Sequence, residues 1–399
     1  MTGGACIVFL LSVAAAAAPP TVRVEKIDST SVTGRLTALD GERVSLRETH
    51  ADKPLAPIPL KDVEELHLRE AKDAMETAGR PVVVTGAGDL VACKSVSVKD
   101  GKVDLAGTEL GDLSLPLHVV SMIYLPVTGQ TAGAVGGGVA KLNLGQPKQD
   151  ELIVVRQSGW IGVPGVLKGM EGKEIVFAWK GEDRRIKTET VRAIRLAATA
   201  DVSKPAAGVL TYAEGSRVAF RSLQCEGGQF EAVSAVLGRL KIPAGKVASV
   251  RFHSDRVRRL ADLKPASVRE YGFLDTATPH RVNRSAGGKP LRLGGREYRT
   301  GLGLHSFCEI TYELDGEFNT FVAVAGIDDA VRPRGDAELT ILGDGKPLLD
   351  TTRLTGKTEP LSVRLDVKGV KILTVRVGFG PDKLDVSDHV NLAAARLIR

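Results

Sequence analysis

Apolar and polar residues alternate with a period of two in many short segments of this chain, and glycine-containing turns separate these segments. After the glycine-rich segment 291–303, for example, Ile310, Tyr312 and Leu314 alternate with polar neighbours. This period places successive side chains on opposite faces of a strand, so it predicts half-buried strands. A helical pattern is predicted over residues 69–79 alone. We therefore expect a predominantly β protein.

A pattern of strands and turns recurs four times within residues 21–252. In each copy an apolar strand leads into a turn, a second strand follows, and a proline or polar corner precedes a final apolar run. The turns are Asp40-Gly41, Asp100-Gly101, Glu171-Gly172 and Gly227-Gly228. Glycine adopts positive φ without a steric penalty, so these turns predict β-hairpins. Such short strands around a sharp corner predict small barrels, and the pattern resembles that of Sm-like and SH3-like barrels.

The recurring pattern and the changes in composition predict the domain boundaries. Similar repeat lengths indicate an array of related units, which we expect to pack in pairs because each buries little surface alone. The segment between the second and third copies is glycine-rich and almost uncharged, which is typical of a flexible linker. The predicted segments are a signal peptide (1–17), four β repeats (21–69, 81–125, 151–196 and 207–252), a Gly-rich linker (126–150) and a C-terminal module (258–399).

The N-terminal segment predicts export. Residues 6–18 are apolar and rich in alanine, but this run is shorter than the ~20 residues that a membrane-spanning helix needs. Ala15 and Ala17 fit the small-residue rule of signal cleavage, although no Lys or Arg precedes Arg23. We therefore expect a secreted protein, or one of the periplasm or cell envelope, with no membrane span.

Charge and cysteine content narrow the functional classes. The net charge of +6 is modest, and aromatic residues make up 4% of the chain. Nucleic-acid binding by the repeats would need basic loops with aromatic rings for base stacking, whereas their turns are acidic or neutral, so we expect no nucleic-acid partner. Cys93, Cys225 and Cys308 are far apart and form no CxxC motif, which predicts small buried side chains.

Four motifs follow one another in the C-terminal third. They are GGREYRTGLGLH (294–305), LDGEFNTFVAVAGIDD (314–329), the turn GDGK (343–346) and SDHVNLAAARL (387–397). In this order they resemble NPCBM, a carbohydrate-binding module found beside some glycoside hydrolases. The resemblance covers roughly residues 260–399 and implies a galactose-binding-like jelly-roll β-sandwich. We therefore expect an all-β chain of four small barrel-like repeats followed by a jelly-roll β-sandwich that binds a glycan and is not an enzyme.

The polar candidates for the glycan site are His305, Asp328, Asp329, Asp388 and His389. We expect them to come from strand ends and loops that meet at one rim of the sandwich. Carboxylates accept hydrogen bonds from sugar hydroxyls, and a neutral histidine can donate or accept. The alternative is structural: the Asp328-Asp329 pair would cap a turn, and His305 would hydrogen-bond to Asp388.

Aromatic side chains could supply a flat platform for a sugar ring. The module contains no tryptophan, since Trp160 and Trp179 both belong to the third repeat, and Asn391-Leu392 stands where NPCBM sequences usually carry an aromatic residue. The candidate platform residues are Tyr271, Phe273, Tyr298 and Phe307, with Tyr298 and Phe307 ranked first because they flank the GLGLHS segment. Arg292 and Arg296 would suit either an acidic glycan or an exposed strand.

Catalysis and metal binding receive less support from the sequence. It contains no HExxH pattern and no glycine-flanked serine elbow, so we predict no catalytic residue. A structural Ca²⁺ is the one cofactor considered, because carboxylate and backbone oxygens of such modules often hold this ion, and its ligands are not assigned. The alternative function is that of a structural or scaffolding protein of the cell envelope, in which the sandwich and repeats contact other envelope proteins.

Overall fold

The structure is a computed structural model that describes residues 19–28, 30–127, 129–142, 147–156, 159–197, 206–272 and 276–399. The predicted signal peptide and Phe273 lie outside these residues. The chain divides into two compact units, the first formed by the described part of 1–26 and 31–253, the second by 27–30 and 254–399. Within the described residues, no helix combines the length and apolar character needed to cross a bilayer.

The described residues of the first unit form one α-helix, α1 (Ala132–Lys141), among many short strands. Its strands are β1 (Thr21–Lys26), β2 (Ser31–Leu39), β3 (Arg43–Arg47), β4 (Ile58–Pro59), β5 (Val63–His67), β6 (Val82–Thr85), β7 (Leu90–Ala92), β8 (Ser95–Lys99), β9 (Lys102–Thr108), β10 (Gly111–Pro116), β11 (Val120–Tyr124), β12 (Asp150–Arg156), β13 (Gly159–Glu171), β14 (Glu174–Trp179), β15 (Glu182–Lys187), β16 (Val191–Arg195), β17 (Gly208–Tyr212), β18 (Arg217–Glu226), β19 (Gln229–Ser234), β20 (Gly238–Pro243) and β21 (Val247–Phe252).

The second unit is built from strands and short turns. Its strands are β22 (Val257–Arg259), β23 (Ser267–Glu270), β24 (Arg281–Val282), β25 (Leu291–Leu293), β26 (Arg296–Tyr298), β27 (Gly301–Leu304), β28 (Cys308–Glu313), β29 (Thr320–Ile327), β30 (Asp336–Gly343), β31 (Lys346–Thr355), β32 (Leu361–Asp366), β33 (Ile372–Phe379) and β34 (Val390–Ile398). The prediction of an all-β protein with a C-terminal β-sandwich is confirmed.

The strands of the first unit form four consecutive groups, which are β1–β5, β6–β11, β12–β16 and β17–β21. In each group a 3₁₀ turn precedes the last strand, and this strand begins with a buried valine. The turns are Leu60–Asp62, Leu117–Val119, Thr188–Thr190 and Ala244–Lys246, and the valines are Val63, Val120, Val191 and Val247. After each turn the last strand returns to the first strand of its group, pairing β5 with β1, β11 with β6, β16 with β12 and β21 with β17. The corner in the sequence therefore corresponds to a change of direction that brings an apolar strand back into the core.

The last strands also join the groups to one another. β5 pairs with β21 through Leu66 and Val250, and β11 pairs with β16 through Ile123 and Ile194. All four of these side chains are fully buried. The first group therefore shares a hydrophobic core with the fourth, and the second with the third. Closed barrels and the exact repeat boundaries stay predictions.

The glycine-rich segment corrects the prediction of a flexible linker over 126–150, because it contains α1. The hydroxyl of Thr131 accepts a hydrogen bond from Ala134 N–H (3.1 Å), as an N-cap does. Val135 is buried against the sheet, and Trp160 packs against the same cluster. A Cβ atom added at Gly138 would lie 2.6 Å from the Trp160 ring. Glycine is needed here because it lets the helix backbone approach an aromatic side chain.

The helix predicted over residues 69–79 is wrong. That segment contains one 3₁₀ turn, Ala74–Glu76. The Asp73 side chain accepts a hydrogen bond from Met75 N–H, so its short polar side chain competes with helix formation and holds a turn instead.

Two sheets pack face to face in the second unit. One has the strand order β24-β27-β34-β29-β32, with β22 on β34, and the other has the order β23-β28-β33-β30-β31. Inward side chains such as Ile310, Tyr312 and Val375 are almost completely buried in the core between the sheets. The core positions predicted for Tyr312, Phe318 and Phe321 are confirmed, as is the burial of the three described cysteines.

The β25–β26 hairpin covers the outer face of the first sheet. Leu291 and Leu293 of this hairpin are buried. A Cβ atom at Gly301 would come within 3.1 Å of Leu291 Cδ1, and one at Gly326 within 3.1 Å of Leu293 Cδ2. These two glycines therefore leave room for the leucines, and β34 is covered on both faces.

The glycines of α1 provide a matched pair of substitutions. Gly137 is exposed and has open space at its Cβ position, whereas Gly138 faces Trp160. We expect Gly137→Ala to raise the free energy of unfolding by about 0.4–1 kcal/mol, because alanine restricts the unfolded chain. We expect Gly138→Ala to lower it by about 1–3 kcal/mol through steric overlap. Urea unfolding followed by Trp160 fluorescence in a Trp179→Phe background measures both. Equal effects of the two substitutions would contradict this packing of α1.

Candidate functional site

One end of the sandwich gathers the polar residues predicted from the sequence. The rings of His305 and His389 lie 5.4 Å apart between centroids. Asp328 N–H donates to the carbonyl of His389 (2.8 Å), and the hydroxyl of Ser306 donates to Asp388 (2.6 Å). The loops after β27 and β29 and the loop before β34 therefore meet there. We call this end the rim.

Asp328 is buried within the rim and orders three segments of it. Its carboxylate accepts hydrogen bonds from Arg292 N–H (3.2 Å), Ala330 N–H (3.0 Å) and the Asn391 side-chain amide (2.5 Å). The same amide group also donates to the Arg292 carbonyl (3.3 Å). With 1% of its surface exposed, Asp328 holds the β25–β26 hairpin against β34 and has little access to a ligand.

Asp329 attaches the tip of the same hairpin. Its two carboxylate oxygens accept hydrogen bonds from Gly294 N–H (3.0 Å) and Gly295 N–H (2.7 Å). The guanidinium of Arg332 lies 3.7 Å from this carboxylate. Both glycines have positive φ, of 59° and 78°, so the turn exposes their N–H groups to the acceptor. Asp329 therefore caps a turn, as the structural alternative predicts.

Asp388 joins the loop before β34 to two other segments. Its carboxylate accepts the hydroxyl of Ser306 and, at 2.9 Å, the N–H of Asp336. Burial raises the pKa of the Asp388 carboxyl, and the hydrogen bonds from Asp336 and Ser306 partly offset this effect. Like Asp328, it has 1% of its surface exposed.

The two histidines differ in their hydrogen bonding and exposure. His305 is buried, and its Nδ1 lies 2.9 Å from the carbonyl of Ser306, so Nδ1 carries the proton that it donates. The predicted hydrogen bond between His305 and Asp388 is thus replaced by one from Ser306 to Asp388. His389 is half-buried. Burial, and next the neighbouring His305, lower the pKa of His389, while Asp328 opposes the shift.

An aromatic stack extends the rim beside Ser306. The rings of Tyr271 and Phe307 are nearly parallel, with an angle of 14° and centroids 4.5 Å apart, and Phe379 lies 6.1 Å from Tyr271. Tyr271 is 45% exposed. Tyr298 is half-buried in the β25–β26 hairpin, and the guanidinium of Arg296 covers one face of its ring at 4.8 Å.

The structure thus brings the predicted residues to one end of the sandwich but gives them different roles. Asp328, Asp329 and Asp388 order the loops, while His389 and the aromatic residues have exposed surface. The sequence ranked Tyr271 below Tyr298 and Phe307 as a platform residue, because no sequence pattern shows that the Tyr271 ring stacks on Phe307. It also gave no role to Asn391. The feature that could have identified this residue is that it is polar among the apolar residues of the last strand.

The side chains of the rim do not form an evident calcium site. The carboxylates of Asp328, Asp329 and Asp388 accept hydrogen bonds from N–H and O–H groups instead of converging on one point. In the described part of the chain, no group of three or more His, Cys, Asp and Glu side chains is arranged to hold a metal ion. The rim carboxylates are therefore used for ordering the loops, and the structural Ca²⁺ considered from the sequence, whose ligands would include backbone oxygens, stays without assigned ligands.

Comparisons with known proteins agree with the sequence resemblance. Residues 256–398 match the family of the NPCBM/NEW2 domain, so this part of the chain is an NPCBM domain. A Renibacterium salmoninarum protein named "Putative endo-alpha-N-acetylgalactosaminidase" is 34% identical over 92 residues, which are 23% of this chain and 6% of that protein. The chain therefore matches only a small part of this relative.

Solved structures of carbohydrate-binding modules are also similar. The module CBM51 from Clostridium perfringens GH95, in complex with methyl-galactose, is 23% identical and covers 35% of this chain and 99% of its own, with a TM-score of 0.32. CBM51-2 and INT domains of Clostridium perfringens ZmpB, in complex with GlcNAc, are 21% identical and cover 43% of this chain and 36% of theirs, with a TM-score of 0.33.

The buried contact between Asp328 and Asn391 predicts that replacing the Asn391 amide by a carboxylate strongly destabilises the fold. Asn391→Asp would place a second carboxylate against Asp328 in a site with no exposed surface. We expect a loss of about 3–5 kcal/mol in the free energy of unfolding at neutral pH, shrinking as the pH falls and one carboxylate takes up a proton. Asn283→Asp is the control, because Asn283 is exposed and its Oδ1 already accepts Gly301 N–H (3.1 Å). A loss below about 1 kcal/mol for Asn391→Asp would contradict the buried contact.

The lowered pKa of His389 predicts a titration in solution. NMR should place the His389 midpoint below 6.5. The unfolded chain then binds the proton more readily than the folded one, so the free energy of unfolding falls as the pH drops below that value. His305→Asn should raise the midpoint only in part, because burial is the larger cause. A midpoint at or above 6.5 would refute this environment.

Proposed function

We propose that the NPCBM domain binds carbohydrate at the rim, that it does so without catalysing a reaction, and that the protein acts outside the cytoplasm. The family of residues 256–398 supports carbohydrate binding as the class of function. The observation that carries the site assignment is the exposed ring of Tyr271, stacked on Phe307 at the rim.

The aromatic stack has the properties of a sugar platform. A pyranose presents a flat face of C–H groups, and an aromatic ring offers a matching apolar surface. Phe307 and Phe379 support the Tyr271 ring, and the backbones of Tyr271 and Phe307 exchange hydrogen bonds of 3.2 and 3.0 Å. Because the ring is already fixed, little side-chain freedom is lost when a sugar stacks on it.

The polar contacts in this proposal come from the more exposed part of the rim. His389 is half-buried beside His305, so it can donate to or accept from a sugar hydroxyl. Asp328 and Asp388, which are buried, fix the loops that carry these groups, and Asp329 fixes the tip of the adjoining hairpin. Phe307 supports the Tyr271 ring, which is the contacting ring, and Tyr298 lies in the adjoining hairpin.

The arrangement of the acids supports a binding role. Glycoside hydrolysis commonly uses two carboxyl groups that flank the scissile bond, so both need access to one cleft. Asp328 and Asp388 are both 1% exposed and bind N–H and O–H groups of their own loops. The segment 1–17 supports the proposed export by its composition.

One observation favours the scaffolding alternative. Leu384 and Val386 are 40% and 63% exposed in the loop before β34, and a Cβ atom at Gly272, next to Tyr271, would lie 3.3 Å from Asp385 of that loop. Exposed apolar residues beside an aromatic ring also suit a protein contact. A protein that uses this surface only for other envelope proteins would give no glycan binding.

The test is a glycan-binding screen of the full chain with Tyr271 variants. The panel contains neutral oligosaccharides ending in galactose, N-acetylglucosamine or N-acetylgalactosamine, the last chosen from the name of the curated relative. Tyr271→Ala should weaken binding by about tenfold or more, since loss of an aromatic contact costs roughly 1–3 kcal/mol. Tyr271→Phe should retain most of it because the stacking surface remains.

Val268→Ala serves as a second control, because Val268 is a 39% exposed residue of the edge strand β23. An unchanged glycan affinity of Tyr271→Ala would show that the Tyr271 ring is not the sugar platform. The absence of binding to every glycan on the panel and to acidic glycans would reject the proposed function and favour the scaffold.

A further inference from the structure

Positive charge is concentrated in one short stretch of the NPCBM domain. Residues 276–300 contain six Lys and Arg side chains and a single acidic one. Residues 301–399, by contrast, contain 12 basic and 15 acidic residues. Residues 256–275, at the start of the domain, contain five basic and three acidic residues. The stretch 276–300 therefore contributes the largest part of the basic excess of the domain.

All six cations of this stretch are exposed. They are Arg281, Arg284, Lys289, Arg292, Arg296 and Arg299, and we call them the basic edge. Five of the six are arginines, whose planar guanidinium matches carboxylate and sulfate groups with paired hydrogen bonds. An exposed edge of this composition fits an anionic partner.

The basic edge adjoins the rim on two sides of the start of β34. On one side, Asn283 N–H donates to the Gly301 carbonyl (2.8 Å), and a Cβ atom at Gly287 would lie 3.4 Å from the His389 ring. On the other side, Arg292 is held by Asp328 and Asn391 through its backbone. The two segments that bear the cations therefore flank His389.

Internal ion pairs leave part of this charge uncompensated. Glu297, the one acid of the stretch, lies 3.4 Å from Arg292. Arg281 Nε donates to the Ala286 carbonyl (3.0 Å), which fixes its position without neutralising its charge. Arg284 and Lys289 have no ion-pair partner among the residues that the structure describes. Ser285 N–H donates to the Lys289 carbonyl (2.8 Å), so Arg284 and Lys289 belong to one tight turn, and an anion beside this turn is attracted by both charges.

We propose that the ligand of the rim is an anionic glycan, whose carboxylate or sulfate groups bind the basic edge while a neutral ring stacks on Tyr271. This inference rests on the proposed function and names the substrate class of that site. The aromatic stack favours a glycan over nucleic acid, because single-stranded nucleic acid is usually held by several rings that stack successive bases. Phe307 under Tyr271 is two residues from His305, and His305 lies against His389, so both parts of the surface border the same histidine pair.

The test compares charge reversal at the basic edge with the same change at the opposite end of the sandwich. The variant is Arg284→Glu/Lys289→Glu in the full chain. Its control is Lys346→Glu/Lys368→Glu, since these exposed lysines follow the ends of β30 and β32 that lie away from the rim. The probes are chondroitin sulfate oligosaccharides, the same oligosaccharides after desulfation, polygalacturonate and a neutral galactan, measured by calorimetry at low and high salt.

We expect the sulfated and uronate probes to bind more tightly than the galactan, and their affinity to fall as salt screens the charges. The edge variant should lose about tenfold or more of this affinity, because it removes two cations that attract the anion and puts two repelling carboxylates in their place. The control should change it by less than about twofold.

Three results would overturn the inference. Equal binding of galactan and the anionic probes, with no effect of the edge variant, would reject anion recognition and leave glycan binding at the rim intact. Equally tight binding of duplex DNA, lost in the same variant, would show a general polyanion surface. No binding of any glycan would reject this inference together with the proposed function.

Discussion

The rim depends on carboxylates that are buried at the end of the sandwich and held by hydrogen bonds from the loops around them. A buried carboxylate without partners is strongly unfavourable, so each loop that donates to it is fixed in place. Asp328 accepts hydrogen bonds from a backbone N–H of the β25–β26 hairpin, from one of its own loop and from the amide of Asn391. Asp388 joins the Ser306 loop to the start of β30. These acids stabilise the relative positions of the loops, and they thereby also fix the positions of His389 and the aromatic side chains that these loops carry.

Close backbone approach is the second constraint, and it acts through glycine in both units. In the second unit, Gly301 and Gly326 leave space for the hairpin leucines that cover β34. In the first unit, Gly138 lets α1 approach the ring of Trp160. Glycine lowers the intrinsic stability of a helix, so α1 persists because packing of its small side chains on the sheet outweighs the cost. The same residue type therefore marks turns in one part of the chain and tight packing in another.

Because glycine occurs both in turns and at tight contacts, the sequence predicts some elements of the fold correctly and others not. Alternation and hairpin turns predicted the strands well, and inward positions such as Tyr312 and Phe321 were identified because their signal is local. The helix α1 was missed because its glycines resemble a linker until the facing Trp160 is known. The rim residues were identified as a group, but the loop-ordering role of Asp388 depends on Ser306 and Asp336, far away in sequence. Likewise, the stacking of Tyr271 on Phe307 arises from the pairing of separate segments, which residue types alone do not encode.

The division between buried and exposed groups has a consequence for how such a site responds to its surroundings. Hydrogen bonds around Asp328 and Asp388 are shielded from solvent, so salt should affect them little, whereas the exposed basic edge lies within reach of dissolved ions. Stability of the rim and attraction of a charged ligand are therefore set by different residues. His389 connects the two sets, since it is half-buried between His305 and the segment around Gly287. Its lowered pKa keeps it neutral at neutral pH. In the proposed complex with an anionic glycan, the attraction would therefore come from the arginines and lysine, and His389 would contribute as a neutral hydrogen-bonding group.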